Sequence, residues 1–128
     1  MRRSDAGAAA VEFVLVTVLL LSLFLMVFQV GVVLHVRNVM VASAAEGARY
    51  AANADRTPED GAARAQQVLV DSLGSRVAAG ITCRPVSGED LDGQPVVDIR
   101  CSGPVPIVFL PTGAFSLTVD GHAVEEGR

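Results

Sequence analysis

The sequence predicts an α+β protein with a long N-terminal transmembrane helix, a short amphipathic helix and a small antiparallel β-sheet domain. Three observations predict it. Residues 13–34 carry no charge, and 17 of these 22 residues are Leu, Val or Phe. Thr57-Pro58-Glu59-Asp60 is a helix start followed by an apolar stripe. From Val77 onward, clusters of Val, Ile, Thr and Phe alternate with Gly and Pro. The expected organisation is a cytoplasmic leader at 1–7, a long helix at 8–53 with its membrane segment at about 13–34, an amphipathic helix at 57–75, and an extracytoplasmic β-rich domain at 77–128.

The uncharged run is long enough for a bilayer. At ~1.5 Å per residue it spans ~33 Å, matching the hydrocarbon core. Each central Leu, Val or Phe favours insertion by roughly 0.3–0.6 kcal/mol, which outweighs the single amide of Gln29. A buried core helix is the alternative, but uncharged runs of this length are rare in soluble proteins. A cleavable secretory signal is the other. Ala42-Ser43-Ala44 has small residues suited to cleavage, yet the run exceeds a signal core of ~7–15 residues, and Arg37 interrupts it. Arg2, Arg3 and the amino terminus precede the run against Asp5 alone, so the N-terminus is expected in the cytoplasm and the remainder outside.

The helical pattern continues beyond the membrane segment. Val36, Val39, Met40, Ser43, Ala44, Gly47 and Ala51 recur at spacings of three and four, and most are small enough to admit a second helix closely. In the next helix Thr57 suits the cap, Pro58 the first position, and Glu59 and Asp60 the positive end of the dipole. Ala62, Ala65, Leu69 and Leu73 form its stripe, and Gly74 ends it. Strands are expected near 80–86, 96–102, 105–110 and 115–124, with Gly103-Pro104 separating the second from the third and Pro111-Thr112-Gly113 turning into the fourth.

Cys83 and Cys101 are the only cysteines. The midpoint between them falls on Asp92-Gly93, a strong hairpin-turn pair. Opposed across that hairpin they share a face with Ile81 and Ile99, and a disulfide there adds about 3 kcal/mol. The same register puts Arg84 beside Arg100, a like-charge pair that Asp98 is expected to relieve diagonally. Unpaired thiols are the alternative. Two thiolates without a nearby His do not close a zinc site, and the spacing is unlike a redox Cys-x-x-Cys.

Gly7-Ala8-Ala9-Ala10-Val11-Glu12-Phe13 joins the charged leader to the apolar run. Cleavage after Gly7 would leave Ala8 as the new amino terminus and Glu12 as the fifth mature residue. A carboxylate at the hydrocarbon edge is costly without a partner, and a neighbouring chain's amine is one such partner. The plainer reading puts Glu12 in the first helical turn, held in the interface by the dipole.

Two stretches, Gly7–Phe13 running into the apolar helix and Ala44-Ala45-Glu46-Gly47-Ala48-Arg49-Tyr50-Ala51-Ala52, resemble the TadE-like family, minor pilins or pseudopilins of the tight-adherence (Flp) pilus system. Pro104-Val105-Pro106-Ile107 and the stretch from Phe115 to Glu125 add a weaker likeness. The resemblance implies processing by a prepilin peptidase between Gly7 and Ala8, Glu12 as the carboxylate that sets assembly register, and Glu46, Gly47, Arg49 and Tyr50 as motif residues. It implies as partners the lipid bilayer and other pilin-like subunits or platform proteins of the pilus. Unlike many family members, the chain has no Pro in its membrane run.

Other function classes find little footing. The net charge is −4, Arg is the only strongly basic residue, and there is no Trp, so neither a nucleic-acid footprint nor a stacking platform is present. No cofactor motif, metal-ligand spacing or catalytic triad is found. His35 lies at the membrane boundary and His122 in the last strand, with nothing to pair them. Glu89, Asp90 and Asp92 form an acidic turn without the spacing of a calcium loop. Assembly rather than catalysis is therefore expected. The alternative is a membrane-anchored envelope binding or interaction protein that does not enter a filament.

Overall fold

A computed structural model of the protein describes residues 2–88, 92–107 and 115–125, with side chains from residue 7 onward. Three helices and three strands follow in order: α1 (Arg2–Ala51), α2 (Pro58–Leu73), α3 (Ser75–Ala78), β1 (Thr82–Ser87), β2 (Val96–Pro104) and β3 (Ser116–Val124). The α+β class expected from the sequence is the class observed. The chain divides into two compact units, Met1–Val32 and Val33–Arg128. α1 contributes residues to both.

The first unit is apolar helix. Phe13 is 72% exposed and Leu19 69%. Left in water, a row of such side chains would forfeit roughly 1.5–3 kcal/mol apiece relative to burial. The hydroxyls inside the row are satisfied within the helix: Thr17 donates to the Phe13 carbonyl at 2.8 Å and Ser22 to that of Val18 at 2.7 Å. That is the condition hydrocarbon imposes on polar groups. Among the described residues this is the one helix long and apolar enough to cross a membrane.

The second unit packs the end of α1 and α2 beneath the sheet. α2 begins with a reciprocal cap. The Asp60 N–H donates to the Thr57 hydroxyl at 3.2 Å, and the Thr57 N–H donates to the Asp60 carboxylate at 3.0 Å. Its stripe buries Gly61, Ala62, Ala65 and Leu69, and the helix stops at Gly74, whose φ of +80° suits glycine. The sheet is antiparallel in the order β1-β2-β3. Along β2, Val97, Ile99 and Cys101 alternate inward and are buried, meeting Met40, Ala44 and Leu69 in one core.

β1 and β2 pair with Cys83 opposite Cys101. The chain reverses through Asp92 and Gly93, with φ of +53° and +81°. Both lie in the left-handed region that Asp-Gly turns supply.

The expected strand at 105–110 is not formed over its described part. Residues 105–107 are irregular, and 108–110 lie outside the described residues, as do the expected turn at Pro111-Thr112-Gly113 and the acids Glu89 and Asp90. Gly103-Pro104 is not a boundary between strands but the end of β2. A Cβ at Gly103 would stand 2.6 Å from the Gly80 carbonyl oxygen, so glycine is what lets β2 slide past that backbone. Val105 donates across to Phe115 at 3.0 Å, so the neighbouring Pro104 nitrogen faces the other way, past the start of β1 opposite Ser102. There its missing N–H forfeits no ladder bond.

Candidate functional site: the membrane helix and its packing motif

The stretch in which processing is expected lies on α1. Gly7 is exposed, and a Cβ on it would meet nothing within 4 Å. Its glycine therefore has no packing reason within the described chain. Glu12 is exposed at the start of the apolar row, and among the described residues it has no hydrogen-bond or ion-pair partner.

The stretch 44–52 divides into two faces. On one, Ala44, Gly47, Ala48 and Ala51 are buried. Gly47 abuts Gly61 of α2, where a Cβ would be 2.5 Å from the Gly61 carbonyl oxygen and 2.8 Å from the Ala65 Cβ. Gly121 of β3 does the same from the sheet side, lying against the Ala44–Ala45 backbone. The small residues thus serve close approach from two directions. Ser43, fully buried beside them, has no partner for its hydroxyl among the described residues.

The other face is charged and open. Glu46 accepts an ion pair from Arg49 at 3.3 Å and another from Arg64 of α2 at 3.9 Å. The Arg56 guanidinium sits 4.8 Å above the Tyr50 ring, and the Asn53 side chain donates to the Tyr50 carbonyl at 3.3 Å. Tyr50, Asp60, Ala63, Arg64 and Gln67 line a shallow depression of about 260 Å³. The sequence brought Glu46, Gly47, Arg49 and Tyr50 forward together, yet only Gly47 is a packing residue.

In the sheet, Cys83 and Cys101 are disulfide-bonded, with Cα atoms 4.0 Å apart. Arg84 and Arg100 are cross-strand neighbours as expected, and Asp98 offsets the Arg100 charge as expected, but the larger relief comes from β3. Asp120, directly opposite Arg100, accepts two bonds from its guanidinium, at 2.6 and 3.2 Å. The bond to Arg100 holds the Asp120 carboxyl below its ordinary value, and the same bond raises Arg100. Asp60 is also lowered, by the backbone N–H and hydroxyl of Thr57.

One device escaped the sequence reading. The Gln66 side chain donates to the carbonyls of Ala78, at 3.3 Å, and Ile81, at 3.0 Å, and accepts from the Cys83 N–H at 3.3 Å. It thereby locks the entry to β1 onto α2. A lone Gln between apolar stripe positions carries no signal of such a role. Gly61 and Gly121 did carry one, since glycine inside a helix or a strand marks close backbone approach.

Residues 7–49 match the TadE-like protein family. No curated protein and no solved structure matches the chain. The TadE-like segment starts at Gly7, includes Glu12 and the whole apolar row, and ends at Arg49. It therefore contains the packing face of Ala44, Gly47 and Ala48, while Tyr50, α2 and the sheet lie beyond it. Together the TadE-like segment and the N-terminal membrane helix fit a membrane protein associated with the tight-adherence pilus.

Proposed function

We propose that this protein is a pilin-like subunit that takes part in assembling a tight-adherence pilus and acts by helix packing rather than by catalysis. The observation that carries the reading is the TadE-like match over 7–49, which joins, among the described residues, an unpacked glycine, a carboxylate without a partner and an apolar helix in one segment. Gly7, free of any packing role, suits the last residue of a leader cut by a prepilin peptidase. The carboxylate of Glu12, at the hydrocarbon edge, suits the Ala8 amine of a neighbouring subunit, since a charge there is stabilised only by a partner. The positive leader keeps the N-terminus cytoplasmic and sends the disulfide-bonded domain outside, a compartment in which disulfides persist. Partners on this reading are the bilayer, other pilin-like subunits or platform proteins, and the peptidase.

The test is complementation of a deletion strain with Glu12→Ala. Membrane levels of the protein should stay at wild type while surface pili fall at least tenfold. Normal piliation with Glu12→Ala would instead favour an anchored envelope protein that binds a partner without entering a filament.

A further inference from the structure

The two cysteines are not equivalent. Cys101 lies on β2, the middle strand, and is fully buried in the core with Met40, Leu69 and Ile99. Cys83 lies on β1, an edge strand, and is only partly buried against that core. The difference follows from strand order, because a middle strand is flanked on both sides and an edge strand on one. With the sheet formed, a reagent in solution therefore reaches Cys83 and not Cys101. The thiolate is the attacking species in disulfide exchange, and a thiolate is costly in an apolar core. Access and charge favour the same cysteine.

The bonds that place Cys83 do not need the disulfide. The Gln66 side chain donates to the Ala78 and Ile81 carbonyls and accepts from the Cys83 N–H. These partners are backbone groups leading into β1, and none lies on β2. Pairing with β2 supplies the second constraint and sets Cys83 opposite Cys101. That pairing is opposed at the next position, where Arg84 faces Arg100. A tie from α2 to β1 offsets the repulsion. Groups held in register in this way react as though at high local concentration.

We propose that Cys83 is the entry thiol at which a disulfide-bearing exchange partner oxidises this chain, with Gln66 as the positioning residue for closure by Cys101. The Cys83 thiolate attacks one sulfur of the partner's disulfide, forming a mixed disulfide and expelling the partner's other sulfur as a thiolate. The Cys101 thiolate then attacks the Cys83 sulfur, which breaks the mixed disulfide and releases the partner's remaining thiolate. The chain loses two electrons and two protons, and the partner takes them up as a dithiol. Gln66 acts on the second step alone, because it sets where Cys83 stands relative to Cys101 and leaves access to Cys83 unchanged. Neither step depends on pilus assembly, so normal piliation with Glu12→Ala would leave both standing.

The full chain in detergent, reduced and then exposed to oxidised glutathione, tests both steps by mass spectrometry. Cys101→Ser, which leaves Cys83 alone, should form the mixed disulfide at least tenfold faster than Cys83→Ser, which leaves Cys101 alone. Equal rates, which a domain unfolded by reduction would also give, would overturn the assignment of Cys83, and so would a faster Cys101. With both cysteines present, Gln66→Leu should prolong the mixed disulfide at least tenfold and leave the rate of its formation unchanged. Unaltered closure would overturn the role of Gln66. So would Cys101 reacting as fast as Cys83 once Gln66→Leu is added to Cys83→Ser, which would mean that the substitution unfolds the domain rather than misplacing one sulfur.

Discussion

At Gly47 an added Cβ would stand 2.5 Å from the Gly61 carbonyl oxygen, and that atom belongs to backbone. Gly47→Ala must therefore separate α1 from α2, and overpacking of this kind costs about 1–3 kcal/mol. The calorimetric transition of the full chain in detergent should fall accordingly; an unchanged transition would mean that the helices are not in register at this glycine. Asp120 makes a different prediction. Its carboxyl is lowered in the folded chain by Arg100, so its contribution is present above the unfolded value of about 3.9 and is lost as pH falls through the folded value. Asp120→Asn should destabilise at pH 7, and the difference should shrink as pH falls below the unfolded value and vanish once the carboxyl of the folded chain is protonated. Both partners are over a third exposed, so solvent screening keeps the effect small. A difference that stayed constant across that range would assign the role of Asp120 to packing.

The elements differ in how much of them local sequence dictates. The apolar helix and the capped start of α2 were legible because their signals are local: an uncharged run, and Thr-Pro-Glu-Asp before a 3.6-residue stripe. The β1–β2 register was legible because Asp92-Gly93 and the two cysteines agree on one midpoint. The strand boundary expected at Gly103-Pro104 was misread because Gly-Pro normally punctuates. Here glycine answers a close approach to Gly80 and Ile81, which only the tertiary fold creates. Asp120 was missed for the same reason, since the β2–β3 pairing that sets it opposite Arg100 is non-local. At this scale the disulfide is the main staple. It closes a loop with a sequence separation of 18, and replacing both cysteines by Ser should cost about 3 kcal/mol. Denaturant titration of the full chain should show that loss. A loss under about 1 kcal/mol would mean that the Gln66 lock and the β2 pairing hold β1 without it.

For the whole molecule, the TadE-like segment and the disulfide-bonded domain play separate parts. The segment is matched to a family from Gly7 to Arg49, and its last turns supply the floor on which α2 and β3 pack. The domain beyond it lies outside that match, so its role is read from its edges and its core. A small domain with a marginal core commonly relies on a staple, and this one has Cys83–Cys101 and the Gln66 lock. The membrane helix brings no such reinforcement, because its apolar side chains are nearly all exposed and need lipid or other helices around them. On the proposed reading, function lies in what surrounds the chain.

The most direct measurement is the intact mass of the protein purified from its native membrane. The account predicts a chain beginning at Ala8, with the leader through Gly7 removed and the Cys83–Cys101 bond present. A mass that includes Met1, or that lacks Met1 alone, would contradict it and leave a membrane anchor with no prepilin-type maturation.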